Sequence, residues 1–151
     1  MDRHFELLKI TRENCLRLAE GLTNEQLNKI PENFNNNIAW NLGHIVATQQ
    51  LLCYALSGNE TRVSADFINK YRKGSKPEGN ISDEEIQFIK EQMFSLISQT
   101  KEDLAKGTFN TFKTYPTSFG VTLGSIEDAI QFNNMHESMH LGSIIALKKL
   151  V

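Results

Sequence analysis

Cysteine and long apolar runs are scarce in this chain of 151 residues. Its two cysteines, Cys15 and Cys53, lack the spacing of a metal-binding or redox motif, so we expect reduced thiols and no disulfide scaffold. No apolar run reaches the roughly 18 residues that a membrane-spanning helix needs. The first residues, Met1 to His4, also lack the apolar stretch of a secretory signal. These absences predict a cytoplasmic protein without a membrane segment.

The chain also has no large excess of charge of either sign. Its formal net charge is -2 at pH 7 and its pI is about 6.1, with basic and acidic residues interspersed. This pattern offers no basic face from which nucleic acid would displace counterions, so we expect no nucleic-acid partner. With 40% apolar residues, the chain is instead rich enough to bury a core, and we expect a single domain over residues 1–151.

Four segments repeat apolar residues with the 3.6-residue period of an amphipathic helix. The first covers residues 2–21, and the second, Ile38–Ser57, lies between an asparagine run and Gly58. The third starts at a capping box headed by Ser82 and continues to Gly107. The fourth covers about residues 125–149. Four helices bury their apolar stripes most simply as an antiparallel bundle, so the predicted fold is an all-α four-helix bundle with two long connecting loops.

The two long connections are candidates for covering a cavity at one end of the bundle. Residues 58–81 include a predicted helical turn near 65–71. Residues 108–124 alternate aromatic residues with threonines, a strand-like pattern that Pro116 and Gly120 interrupt. The first connection also carries a basic cluster, which either attracts an anionic substrate or is simply solvated. Its members are Lys70, Arg72, Lys73 and Lys76.

The segment His136-Glu137-Ser138-Met139-His140 matches H-E-x-x-H, the pattern of zinc peptidases. In those enzymes the two histidines bind zinc, the glutamate acts on a bound water, and a third ligand follows downstream. Residues 141–151 contain no His, Cys, Asp or Glu, so we expect any third protein ligand upstream. The pattern therefore indicates a metal site of a different kind, or none.

Three histidines are predicted to face the core. At about 100° per residue, His136 and His140 lie in the middle of the apolar stripe of the fourth helix, and His44 lies within that of the second. A buried imidazole without a partner costs about 1–3 kcal/mol, and a shared metal would satisfy all three. Three nitrogen ligands and an open fourth position are typical of catalytic zinc, although imidazole also suits nickel, cobalt and ferrous iron. In the alternative interpretation, the pair on the fourth helix is coincidental and His44 is a core histidine bonded to a carbonyl.

Other potential ligands are less favoured. His4 lies in the first turn of the first helix, at the edge of its stripe. Cys15 lies on that stripe and is better explained as a core thiol. Cys53 lies about 180° around its helix from His44, which excludes it from the same site.

Glu137 is the candidate catalytic residue. It lies roughly 60–100° around the helix from the two histidines, the offset at which zinc peptidases place a general base. The alternative is a glutamate at the helix boundary that contacts solvent or a lysine. Asn41 and Asn133 lie one turn before His44 and His136, so either could support a histidine through a hydrogen bond.

Two segments resemble a known family. Ile38-Ala39-Trp40-Asn41-Leu42-Gly43-His44-Ile45 and His136-Glu137-Ser138-Met139-His140-Leu141-Gly142-Ser143-Ile144 are similar, in order and spacing, to motifs of the DinB-like (DinB/YfiT) metalloprotein superfamily. The resemblance implies a four-helix bundle, often dimeric, in which His44, His136 and His140 bind a divalent metal, zinc or nickel. It thus predicts a homodimer. The family name refers to DNA damage, but the composition does not favour DNA contact.

The resemblance implies several activities. Some branches use low-molecular-weight thiols such as bacillithiol or mycothiol for S-transfer or isomerisation, and others are described as hydrolases. We favour S-transfer from a small thiol to a small-molecule electrophile, because a metal would ionise an incoming thiol. The alternatives are a hydrolase with metal-bound water and Glu137 as base, and a non-catalytic metal-binding or interaction module.

Overall fold

The computed structural model describes residues 1–151 and contains six α-helices, four of them long. The long helices are α1 (Asp2–Ala19), α3 (Ile38–Cys53), α5 (Asp83–Ala105) and α6 (Ile126–Lys148), and the short ones are α2 (Asn24–Asn28) and α4 (Ala65–Tyr71). A single 3-10 turn, Ala55–Ser57, follows α3. A small antiparallel hairpin of β1 (Tyr115–Pro116) and β2 (Thr122–Leu123) precedes α6.

The four long helices form a bundle in which α1 and α3 each pack against both α5 and α6. α1 and α3 therefore occupy diagonal corners, as do α5 and α6. This arrangement confirms the predicted all-α four-helix bundle. It also brings α3, which carries His44, directly against α6, which carries the other two candidate histidines. None of the helices combines the length and apolar character needed to cross a membrane.

Side-chain caps explain where the last three long helices begin. In each case an asparagine or serine accepts a hydrogen bond from the backbone N–H three residues later, which satisfies a donor that the first turn leaves free. These residues are Asn37, Ser82 and Ser125. The second predicted helix ends earlier than Ser57, because the chain tightens after Cys53 into the 3-10 turn and then reverses at Gly58, where φ is 72°.

Both long connections contain secondary structure that packs against the bundle, α4 against α3 and β2 against α6. Residues 58–81 include α4, which confirms the predicted helical turn. In residues 108–124, Tyr115 pairs with Leu123 and Pro116 pairs with Thr122, which confirms the strand-like pattern. Leu123 is buried in the core, so it anchors the hairpin against α6 although each strand has only two residues.

The apolar core is divided into two clusters by a buried polar layer. Along α1, Leu8 belongs to one cluster and Cys15 to the other, with Arg12 between them. The Arg12 guanidinium donates hydrogen bonds to α3, α5 and α6: to Gln49 Oε1 at 2.9 Å, to the Met93 carbonyl at 2.6 Å and to Glu137 Oε1 at 2.6 Å. A single side chain thus connects all four long helices.

Candidate metal centre

Three imidazole nitrogens converge where α3 meets α6. His44 lies near the middle of α3, and His136 and His140 lie one turn apart on the adjacent face of α6. The Nε2 atom of His136 is 3.3 Å from Nε2 of His44 and 3.2 Å from Nε2 of His140. The three rings offer ligand atoms that all lie within 4.8 Å of one another. The cluster predicted from the sequence therefore forms, and it could hold a metal ion.

Two of the rings are held by hydrogen bonds at their other nitrogen. His44 Nδ1 is 2.6 Å from the Tyr71 carbonyl oxygen, which only accepts, so the proton of neutral His44 lies on Nδ1. His140 Nδ1 is 2.7 Å from Asn41 Oδ1. The Asn41 amide donates to the Asn37 carbonyl at 2.7 Å, which directs its oxygen towards His140. In both rings Nε2 is left with a lone pair directed into the cluster.

His136 differs from the other two histidines. Its Nδ1 atom is buried and has no hydrogen-bond partner. Its Nε2 atom lies between the two lone pairs of His44 and His140. The ring is therefore held by packing, with Phe132 one turn earlier at 6.4 Å between ring centroids.

Burial keeps the three rings neutral. It lowers the pKa of His44 below 6.5, against the opposing effect of the hydrogen bond to Tyr71. Burial, followed by the proximity of His140 and His44, lowers the pKa of His136 to about 3. Burial and the proximity of His44 lower the pKa of His140 to about 4. All three rings are therefore uncharged near pH 7, the form in which imidazole binds a metal.

Two of the three separations between the nitrogens fit a divalent metal. Tetrahedral zinc lies about 2.0–2.1 Å from imidazole nitrogens, which places two such ligands about 3.3–3.4 Å apart. The observed separations of 3.2 and 3.3 Å agree with this value. Because neutral imidazole also suits nickel, the donor set fits both of the predicted metals.

A cavity of about 440 Å³ adjoins the histidines. Its walls come from one face of α3 and the 3-10 turn, one face of α6, the hairpin segment 115–119 and one residue after α4. Part of the connection 108–124 therefore lines this cavity, and its role as a cover stays a prediction. The lining residues are His44, Thr48, Leu51, Leu52, Ala55, Leu56, Lys73, Tyr115, Thr117, Ser118, Phe119, Phe132, His136, Met139 and His140.

The family model of the DinB superfamily matches residues 7–144, which include all three histidines and all four long helices in whole or in large part. The chain belongs to the DinB superfamily. A comparison with curated proteins finds no match.

In this DinB superfamily chain, Glu137 does not lie at the helix boundary as the alternative interpretation assumed, because it has no exposed surface. Its carboxylate accepts hydrogen bonds from Arg12 Nε at 2.9 Å, Arg12 Nη2 at 2.6 Å and Asn133 Nδ2 at 2.8 Å. These contacts favour a structural role and leave its catalytic role a prediction. Asn133 donates its hydrogen bond to Glu137 and supports no histidine. The predicted hydrogen bond between Asn41 and a histidine is confirmed, and that histidine is His140.

The remaining candidate ligands lie outside the cluster of this DinB superfamily chain. Cys15 is buried in one apolar cluster and Cys53 in the other, as expected of core thiols. Burial raises the pKa of each thiol to about 12. His4 is half-buried in the first turn of α1 and is not among the converging residues.

Two features of the site could not be read from sequence patterns. The hydrogen bond that His44 Nδ1 donates is accepted by a backbone carbonyl, that of Tyr71, which any residue type could supply. The Tyr71 ring lies against Gly43, where a Cβ atom would come within 2.5 Å of the ring. In the sequence, only Gly43 indicates this close approach, because it is a glycine inside a helix and next to a candidate ligand.

Proposed function

We propose that this protein is a metal-dependent enzyme whose metal, zinc or nickel, is bound by His44, His136 and His140. The observation that carries the proposal is the convergence of three neutral Nε2 atoms, two of them oriented through Nδ1, beside a cavity large enough for a small molecule. Structural zinc sites are usually closed by four protein ligands, whereas three ligands leave a position for substrate. The cavity therefore favours a catalytic role over a structural one.

The protein residues around the site would orient and enclose a substrate. The hydroxyl of Thr48 is 3.3 Å from His44 Nε2 and lines the cavity, so it can hydrogen-bond to a substrate group beside the histidines. The walls of α3, α6 and the hairpin are largely apolar and would surround the apolar part of a substrate. A divalent metal, when bound by neutral imidazoles, lowers the pKa of a thiol or water that binds to it.

The favoured reaction is S-transfer from a low-molecular-weight thiol to an electrophile. The sulfur forms a bond to an electrophilic carbon, the leaving group departs with the electrons of the broken bond, and the thiol proton passes to solvent. The family resemblance supports this chemistry, and so does the position of Glu137. The hydrolase alternative assigns the role of base to Glu137, but the Glu137 carboxylate is engaged by Arg12 and Asn133.

Metal analysis tests the first part of the proposal. Protein without an affinity tag, purified without a nickel column, is expected to contain about one equivalent of divalent metal. The variant His136→Ala should lose most of it, because two nitrogen ligands bind less tightly than three. His4→Ala is the matched control and should retain full occupancy, since His4 lies outside the cluster. Equal metal content in the wild type and His136→Ala would refute the site.

The reaction is tested with bacillithiol and monochlorobimane under metal-replete conditions. S-transfer predicts a rate of conjugate formation above the uncatalysed background, and loss of this rate in His44→Ala. A metal-loaded protein that gives no rate above background would contradict S-transfer to this electrophile while leaving the metal site intact.

We also propose a homodimer, because exposed apolar side chains outside the cavity lie along α6, including Met135 and Ile145. Light scattering should give twice the chain mass for the wild type and the monomer mass for Ile145→Glu. A monomeric wild type at micromolar concentration would exclude this assembly.

A further inference from the structure

The cavity beside the histidines has only one charged side chain in its lining, Lys73. Apart from the histidines, every other lining residue is apolar or carries a hydroxyl group; Leu51, Leu56, Phe119 and Phe132 are among the apolar ones. Apolar walls favour an apolar body and offer an ion no compensation for the loss of its water. Among the side chains of the lining, Lys73 is therefore the one that can form an ion pair with an anionic group of a ligand.

The segment around Lys73 is attached next to His44. Two residues before it, the Tyr71 carbonyl contacts His44 Nδ1. Two residues after it, the Ser75 hydroxyl accepts a hydrogen bond from Trp40 Nε1 at 3.2 Å, and the Trp40 ring stacks on His44 with 4.6 Å between centroids. The segment that carries Lys73 is thus fixed on both sides to the His44–Trp40 pair.

No carboxylate of the protein neutralises Lys73. The ion pairs of the structure involve other cations, including the neighbouring Lys70, whose Nζ atom is 2.6 Å from Glu85 Oε2. Among the four residues of the basic cluster, Lys73 alone lines the cavity. It is available to pair with an anionic group of a ligand.

We propose that the cavity binds small molecules that combine an apolar body with an anionic group, a carboxylate or a sulfonate, and that Lys73 is the residue that selects the anionic group. The anionic group lies near the histidine end and the apolar body extends along Leu51, Leu56 and Phe132. The cavity volume of about 440 Å³ is in the range of sites for drug-sized ligands. This substrate class depends on the proposed function in one respect, namely that the cavity is the substrate site of the metal centre.

Two fluorescent probes with the same aromatic skeleton test the selection. 8-Anilinonaphthalene-1-sulfonate carries a sulfonate, and N-phenyl-1-naphthylamine does not. Dissociation constants for both are measured with wild type, Lys73→Gln and Lys76→Gln, with and without added zinc. Lys76→Gln is the matched control, because it removes the same charge from the same connection but lies outside the cavity lining.

Lys73→Gln is expected to raise the dissociation constant of the sulfonate probe about fivefold, as suits a partly exposed ion pair. The dissociation constant of the neutral probe should stay within about twofold of the wild-type value. Lys76→Gln should leave both probes unchanged. The difference between Lys73→Gln and the wild type should shrink as salt rises from about 20 mM to about 500 mM. Equal effects of Lys73→Gln on both probes, or no effect on the sulfonate probe, would overturn the assignment.

A cavity-filling variant checks where the probes bind. Ala55→Trp places an indole in the lining and should weaken both probes at least about tenfold by excluding their volume. Unchanged binding of both probes to a folded Ala55→Trp protein would show that they bind elsewhere and would overturn the proposal. Because none of these measurements depends on turnover, failure of S-transfer and failure of the substrate class are distinguishable.

Discussion

Arg12 and Glu137 form an ion pair with no exposed surface at the centre of the bundle, 2.6 Å between Nη2 and Oε1. Glu137 lies between the two histidines of α6, so the ion pair joins α6 to α1 on the face beside the histidines. His136 and His140 face α3 and His44. Glu137 and the two histidines of the candidate metal centre therefore lie on adjacent faces of α6.

Breaking the ion pair is expected to destabilise the protein severely. Arg12→Met leaves the Glu137 carboxylate buried without its counter-charge, which should lower the free energy of unfolding by about 3–5 kcal/mol. The double variant Arg12→Met, Glu137→Leu should recover much of this loss, because it removes both charges and keeps side-chain volume. Urea denaturation measures both values, and a loss below about 1 kcal/mol in Arg12→Met would contradict the structural role.

The same double variant decides whether Glu137 is a general base. If Glu137 acts only through packing and its contact with Arg12, folded double variant should retain metal and most of the conjugation rate. A general base typically contributes about 10²–10⁴-fold. A fully folded, metal-loaded double variant whose rate falls by that factor would establish the catalytic role predicted from the sequence.

Replacing Gly43 is expected to disturb the metal centre through Tyr71. A Cβ atom at residue 43 would lie 2.5 Å from the Tyr71 ring, so Gly43→Ala must displace the residue whose carbonyl orients His44. We expect a cost of about 1–3 kcal/mol in stability and at least about tenfold weaker zinc binding. Gly142→Ala is the control: its Cβ meets nothing within 4 Å, and alanine should stabilise α6 by up to about 1 kcal/mol. Similar zinc affinities in the two variants would argue against the contact.

Asn41 is expected to matter for metal affinity more than for stability. Its side-chain oxygen holds His140 Nδ1 at 2.7 Å, and loss of such a partner typically weakens metal binding about 10–100-fold. Competition titration with a chromogenic zinc chelator should show this loss in Asn41→Ala. Asn134→Ala, on the same helix as His140 but bonded only to the Ile130 carbonyl, should bind zinc like the wild type.

The metal-free protein should lose stability as pH falls. The pKa values of His136 and His140 are about 3 and about 4 in the folded state, below the ordinary value of 6.5. Between these values and about pH 6.5 the unfolded chain takes up protons that the folded chain does not, which favours unfolding. Each histidine can contribute up to about 1.4 kcal/mol per pH unit in this window. Chelator-treated protein denatured with urea at pH 7.5 and pH 5 should show this loss, and a variant with asparagine at both positions should show a smaller one.

The sequence predicts the long helices well because their starts carry local chemistry. Ser82, Asn37 and Ser125 each cap the helix that follows, so a short stretch of sequence contains the information. The inward direction of the three histidines could also be predicted from the sequence, because the helical period alone places them on the inner faces of α3 and α6.

The residues that surround Glu137 could not be predicted from the sequence, for a physical reason. The helical period gives the angle of a residue on its helix but not which neighbour fills that sector. α6 packs against α1 as well as α3, so a sector beside the histidine stripe faces Arg12, which lies 125 residues earlier in the chain. The pattern of residues within α6 alone therefore cannot identify Arg12 as the partner of Glu137.

Trp40 is the only tryptophan of the chain, and its ring lies nearly parallel to that of His44, at 13°. Its indole N–H is bonded to Ser75, on the segment that carries Lys73. The fluorescence of this single indole therefore comes from a position next to His44 and the segment that carries Lys73. It is expected to change both when His44 binds a cation and when that segment moves beside the cavity.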